Sequence, residues 1–246
     1  MCGQDTPTTE RSVDGWELGV CTGCDFLYVP RIRANTASEQ VIDPDFVPVQ
    51  RARHRQIHRL LQTLLPSGGT VVDVGAGFGA LGRECLDAGH FSYVGFEPAA
   101  SIVEFARTGG IDLREGLFER GSLDRPVDAV VLDNVIEHVA DPMDLLELCR
   151  DALRPRGLLV VIVPNRHDLR RFIPAWRDAN HWIPPEHINY FTAASLRRAF
   201  ESLDMDHHPF GFRALGVRDY RYWPRAAAER LGVFPFGLNT YGIRRG

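Results

Sequence analysis

Four groups of residues in this chain have the types and spacing to do chemistry. Asp73-Val74-Gly75-Ala76-Gly77-Phe78-Gly79 sets a carboxylate two residues ahead of three glycines at alternate positions. Glycine lets the backbone turn sharply and come close to a ligand, so this stretch suits a loop drawn around a nucleoside-like molecule. Glu97 lies 22 residues beyond Gly75 and closes an apolar run, where a carboxylate can accept two hydrogen bonds from a ribose diol. Glu137-His138 and, further on, His187 supply imidazoles, the side chains best suited to taking a proton near neutral pH. Cys21-Thr22-Gly23-Cys24 has the spacing of half a zinc site, and Cys2 offers a third thiolate.

Alternating strand and helix patterns must hold these groups in place. Thr70 to Val74 is β-branched and apolar, as a strand covered on both faces should be. From Ala80 the pattern turns helical, so unpaired N–H groups at the helix start face the glycine loop. Strands are expected at 91–96, 111–115, 127–132 and 158–163, with helices at 49–65, 99–107, 142–153 and 193–203. The last two strands are expected at Phe210 to Ala214 and Leu238 to Arg244, the final one antiparallel and inserted between its neighbours. The helix before the first strand carries Arg51, Arg55 and Arg59 in a row at i, i+4, i+8, which suits either a solvated face or an anionic acceptor.

Composition narrows the field. A chain of 246 residues, 44% hydrophobic, can bury one substantial core. The net charge of −4 gives no general attraction to nucleic acid. No apolar run approaches the roughly 20 residues that span a bilayer, and the first residues lack a signal-peptide pattern. A cytoplasmic protein is expected, with Cys85 and Cys149 as packing thiols. All 28 basic residues are arginine, which excludes a lysine Schiff base, a Gly-Lys-Ser/Thr phosphate loop and a kinase strand lysine. No G-x-S-x-G elbow or H-E-x-x-H helix is present.

Two ligand classes fit the glycine loop. Gly75 to Ala80 satisfies G-x-G-x-x-A, the dinucleotide fingerprint, which would make the chain an NAD(P)-dependent oxidoreductase. Read instead as Asp-x-Gly-x-Gly-x-Gly, the stretch resembles the first motif of the class I S-adenosylmethionine-dependent methyltransferases. Glu137-His138-Val139, the Asp141-Pro142 helix start, the Leu153-x-Pro155-x-Gly157 turn and Val163-Pro164-Asn165 follow in order. Together they resemble that family over residues 68–204, especially its branch acting on small molecules. A domain of this fold that only binds its ligand is the remaining alternative.

The resemblance implies an α/β, Rossmann-like, doubly wound, seven-stranded sheet, mostly parallel with the last strand antiparallel. It implies S-adenosylmethionine as cofactor and a small-molecule acceptor, with a hydroxyl the favoured methylated group. Asp73 would help hold the cofactor's amino-acid moiety, within the loop of Gly75, Ala76, Gly77 and Gly79. Glu97 and Pro98 would take the ribose, and Gly116, Leu117 and Phe118 the adenine. Leu117 stands where the family usually has an acid. Asp133, Asn134 and Val135 would border the sulfonium, and His138, with His187 behind it, would be the base.

Two further segments are read the same way. Residues 1–45 resemble the truncated zinc-ribbon leader that precedes some methyltransferase domains, which would give Cys2, Cys21 and Cys24 to zinc; Asp25 replaces its glycine. The domain itself is expected to fill 46–246. Within it, 165–191 carries Trp176, His181, Trp182, His187, Tyr190 and Phe191 and reads as an acceptor pocket and lid, while 215–235 reads as an insertion.

Overall fold

A computed structural model of the chain describes residues 7–11, 15–30, 32, 47–175, 177, 184–210 and 237–246. Cys2, Trp176, His181, Trp182 and the 215–235 insertion lie outside the described residues.

The main sheet has seven strands. In chain order its strands and helices are α1 (Val47–Leu64), β4 (Gly69–Val74), α2 (Ala80–Ala88), β5 (Phe91–Glu97), α3 (Ala100–Thr108) and β6 (Leu113–Glu115). There follow β7 (Val127–Asp133), α4 (Pro142–Ala152), β8 (Leu153–Val163), α5 (Ala193–Ser202), β10 (Met205–Pro209) and β11 (Leu238–Arg244). Across the sheet the order is β10-β11-β8-β7-β4-β5-β6. The pairs β4–β5, β4–β7, β5–β6 and β7–β8 are parallel, whereas β11 runs antiparallel to both β8 and β10. The inserted antiparallel strand is as the sequence predicts.

Alternation along the central strands builds two cores. Val72, Val74, Val130, Leu132, Leu159, Val161 and Val163 face one side, against Leu146 and Cys149 of α4 and Leu196, Ala199 and Phe200 of α5. Val71, Ala129, Val131, Leu158, Val160 and Ile162 face the other, against Ile57, Leu60 and Leu61 of α1 and Leu81 and Cys85 of α2. A strand buried on both faces needs apolar residues at every position, which is why these runs lack polar alternation. Each fully buried aliphatic side chain contributes about 1.5–3 kcal/mol. Burial lifts the Cys85 thiol to about 12 and Cys149 higher still, as packing thiols should behave.

From β4 the chain moves outward through β5 and β6, then returns to the other flank for β7 and β8. The reversal falls between β4 and β7, and a crevice opens beyond their carboxyl ends. Asp73, Glu97 and Asp133 all stand at that rim.

The structure differs from expectation in two places. The leader, read from sequence only as a zinc-ribbon-like segment, forms β1 (Pro7–Arg11), β2 (Glu17–Cys21) and β3 (Leu27–Tyr28). With β9 (Asn189–Tyr190) these make a four-stranded antiparallel sheet over its own small core of Leu18, Val20, Leu27, Val29, Ile188 and Tyr190. The penultimate main strand is Met205–Pro209, ahead of the expected 210–214. It is an edge strand in which Asp206, His207 and His208 are polar and Met205 alone is buried, so apolar content does not reveal it.

Candidate active site

The cofactor side of the crevice is built from the glycine loop and the end of β5. Gly75, Gly77 and Gly79 all have positive φ, the conformation glycine adopts without strain. A side chain on Gly75 would also meet Val135 Cγ2 at 2.6 Å, so Val135 closes the loop from the β7 side. The N–H groups of Gly75 and Ala76 both donate to the Phe96 carbonyl, at 2.8 and 3.0 Å. Glu97 is buried, and its two oxygens accept from Gly77 N and Ala99 N, each at 3.0 Å. The carboxylate is thereby fixed in orientation while keeping lone pairs for a ligand diol. Pro98 follows it, exposed at the start of α3. The Gly116 N–H donates to the Glu97 carbonyl at 3.0 Å, tying the third loop to the same rim.

Asp73 is fully buried, and burial pushes its carboxyl up to about 6. His54 and the Tyr93 hydroxyl, which donates at 2.9 Å, oppose that rise, while Asp133 and Glu97 add to it. Asp133 is held by two residues of α1: Arg53 forms a short ion pair with it, and His54 Nε2 lies 3.3 Å away. Asn134 adopts φ of 56° and donates its N–H to the Ile162 carbonyl. The carboxylates of the first, second and fourth parallel strands are thus brought together. Tyr93, Arg53 and His54, which sequence reading missed, are their partners. The arginine row turns elsewhere: Arg51 and Arg55 pair with Glu84, and Arg51 also with Asp87, on α2.

The adenine-side assignment divides. Phe118 is buried in the core with its ring edge-on to Phe96, centroids 5.1 Å apart, so it cannot be a free wall. Leu117 is 55% exposed at the rim.

The acceptor side is organised by the loop after β7. Asn189 Nδ2 donates to the carbonyls of Ile136 and Val139, at 3.1 and 2.7 Å. The Glu137 carbonyl accepts from Ile188 N and Asn189 N. These bonds clamp the loop to β9 and bring His187 against His138, ring centroids 4.9 Å apart. His138 Nδ1 lies 2.8 Å from the Glu186 carbonyl. A carbonyl can only accept, so Nδ1 carries the proton and Nε2 the lone pair. Burial lowers the His138 pKa, which keeps the ring neutral at pH 7. Glu137 is 1% exposed, and neither carboxylate oxygen has a hydrogen-bond partner among the described residues. Burial, reinforced by Asp133 and opposed by its own backbone N–H and by Arg53, pushes its carboxyl up to about 8. One ligand-capable atom from each of Glu137, His138 and His187 lies within 4.8 Å of the others.

Other expected site residues fall elsewhere. Tyr190 and Phe191 do not line a pocket: Tyr190 is buried in the small core, and Phe191 packs on Phe26 in the main one. Cys24 is buried within the main core and Cys21 packs at its edge. Among the described residues no third ligand stands with them. The leader is pinned to the crevice instead by Asp25, whose carboxylate meets Arg166 and His167, and by Thr192, whose hydroxyl donates to the Cys24 carbonyl at 2.8 Å.

Comparison with known proteins identifies the family and the fold. Residues 49–206 match a family model described as a methyltransferase domain, and the chain belongs to that family. A ubiquinone biosynthesis O-methyltransferase of Caulobacter vibrioides is 29% identical over 149 residues, 51% of this chain and 58% of that protein. The chain therefore spans about three fifths of that relative's length. Among solved structures, a SAM-dependent methyltransferase from Thermotoga maritima superposes with a TM-score of 0.56 at 17% identity, over 82% of this chain and 93% of that one. A plantazolicin methyltransferase crystallised with SAH gives 0.61 at 12% identity, over 82% and 88%. These likenesses establish the Rossmann-like methyltransferase fold. Among the described residues no helix is long and apolar enough to cross a membrane.

Proposed function

We propose that the chain is an S-adenosylmethionine-dependent methyltransferase acting on a hydroxyl of a small molecule. The observation that carries this reading is Glu97, held by Gly77 N and Ala99 N at the end of β5, with Asp73 buried beside the left-handed glycine loop. That arrangement offers a diol acceptor and an ammonium partner on one rim. The names of the relatives favour oxygen as the methylated atom.

The cofactor supplies a sulfonium methyl that is already activated for displacement. The protein's task is to set the acceptor in line and exclude water. Glu97 and the glycine loop orient the nucleoside, and Asp73 and Asp133, steadied by Tyr93, His54 and Arg53, face the charged amino-acid end. His138 Nε2 takes the hydroxyl proton as the oxygen attacks, and the Glu186 carbonyl holds the ring through Nδ1. His187, packed on the same ring, borders the acceptor.

Calorimetry with S-adenosylmethionine, its demethylated product and NAD tests the cofactor. Micromolar binding of the first two and none of NAD is expected; tight NAD binding alone would overturn the reading. Mass analysis of a cell extract treated with the protein and cofactor should then reveal a species heavier by one methyl group.

A further inference from the structure

The cluster of Glu137, His138 and His187 has a feature that a base alone does not explain. Glu137 is buried, yet both its oxygens lack a hydrogen-bond partner among the described residues. A buried carboxylate left so is costly unless a cation or a proton compensates it. One carboxylate oxygen and one ring nitrogen from each of His138 and His187 lie within 4.8 Å of one another, and lysine does not occur in the chain. His138 is arranged as a ligand histidine commonly is: Nδ1–H is committed to a backbone carbonyl, which orients the ring and directs the Nε2 lone pair at the cluster. Nε2 already stands 3.9 Å from Glu137 Oε1.

We propose that Glu137, His138 and His187 form a binding site for one divalent transition-metal ion. Two imidazoles and a carboxylate suit zinc, cobalt, manganese or iron(II), and they leave coordination positions open on the acceptor side. The site joins the loop after β7 to the segment before β9, so an ion there also fixes the acceptor wall. This deepens the hydroxyl-methylation reading and rests on it for its chemical role. An ion polarising the acceptor oxygen lowers the hydroxyl's pKa, and the proton leaves to water. His138 Nε2 is then a ligand; in the ion-free protein it is the base.

Cobalt(II) titration of the full chain, followed by its visible absorption, tests the site without reference to activity. Saturation at one ion per chain is expected, with visible bands of nitrogen and oxygen ligation and no near-ultraviolet thiolate band from Cys21 or Cys24. Glu137→Gln and His187→Asn should each weaken cobalt binding at least tenfold, on the scale of ligand-shell changes. Either variant's affinity for the demethylated cofactor should stay within about twofold of the parent, because neither residue is in the nucleoside cradle. No saturable visible band in the parent protein, a thiolate band alone, or undiminished binding in both variants would overturn the proposal. The two readings fail separately. Cofactor binding without cobalt binding removes the ion and leaves the methyltransferase; cobalt binding without any cofactor binding does the reverse.

Discussion

The two halves of the crevice differ in how their polar groups are satisfied. On the cofactor side Glu97 has two backbone donors, Asp73 has the Tyr93 hydroxyl, and Asp133 has Arg53 and His54. On the acceptor side Glu137 has no hydrogen-bond partner among the described residues, and His138 Nε2 stands 3.9 Å from its Oε1, beyond hydrogen-bond distance. The first half is preorganised, so binding there costs little rearrangement. The second holds unspent electrostatic free energy, which suits a group that must interact most strongly when a proton leaves or an ion arrives. Recognition and chemistry thus use different side chains, and the two sets meet at the end of β7, where Asp133 acts on Glu137.

The largest expected effect comes from the acceptor half. His138→Ala should lower turnover by roughly 10²–10⁴ while cofactor affinity changes little. The loss should shrink for an acceptor acidic enough to ionise unaided. Equal losses in turnover and cofactor affinity would mean that His138 only ties down the loop, and the contrast between the halves would break.

Glu97→Ala probes the cofactor half. Removing a carboxylate that accepts from a ribose diol should weaken cofactor binding by about 1.5–3 kcal/mol, with turnover at saturation far less affected. Calorimetry on both variants makes the comparison direct, since each should be nearly silent in the other's assay.

The cofactor half was legible in the sequence because its devices are local. Strand, glycine turn and helix follow within the 69–88 stretch, and a carboxylate at a strand's end declares its position by pattern alone. The acceptor half was legible only as names. His138 and His187 were evident as imidazoles, but their meeting depends on Asn189 reaching Ile136 and Val139 about fifty positions away. No periodicity encodes such a bond. Tyr190 and Phe191 show the same limit, for an aromatic residue in a polar segment can face a ligand or a core. The second sheet turns Tyr190 into its small core, while Phe191 packs on Phe26 in the main one. Leader docking, through Asp25 and Arg166 across 141 positions, gave no local signal either.

The pH dependence of cofactor binding sharpens the comparison further. Asp73 titrates near 6 in the folded chain, above the roughly 3.9 of an unfolded aspartate, because burial outweighs the help from His54 and Tyr93. The folded state therefore holds this proton more tightly. The stabilisation from that proton is complete below about pH 4 and is lost as pH rises through 6. An ammonium ligand favours the ionised form and expels the proton. Cofactor affinity should accordingly rise with pH by up to about tenfold per unit below 6 and level off above 7. Near pH 6 the binding enthalpy should vary with the buffer's ionisation enthalpy. A flat profile from pH 5 to 8 would mean that Asp73 does not meet the charged end of the cofactor.

The smallest effect is expected from the leader, and it bears on which half the leader serves. Asp25 adopts φ of 56° at the end of the Cys21–Cys24 turn and presents its carboxylate to Arg166 and His167, just beyond β8. The carboxylate is 45% exposed, so water and salt screen the pair, and its loss should cost about 1 kcal/mol or less. Asp25→Ala should therefore lower the melting temperature by only a few degrees, on the scale set by ~4 °C per kcal/mol or less for a chain of this size. Arg166 and His167 precede His187 on the acceptor side of the chain, and among the described residues no hydrogen bond given for Asp25 reaches Glu97 or the glycine loop. Acceptor KM should rise a few-fold while cofactor affinity stays put. A matching loss of cofactor affinity would show the leader acting on both halves through the sheet, and the crevice would then respond as one unit.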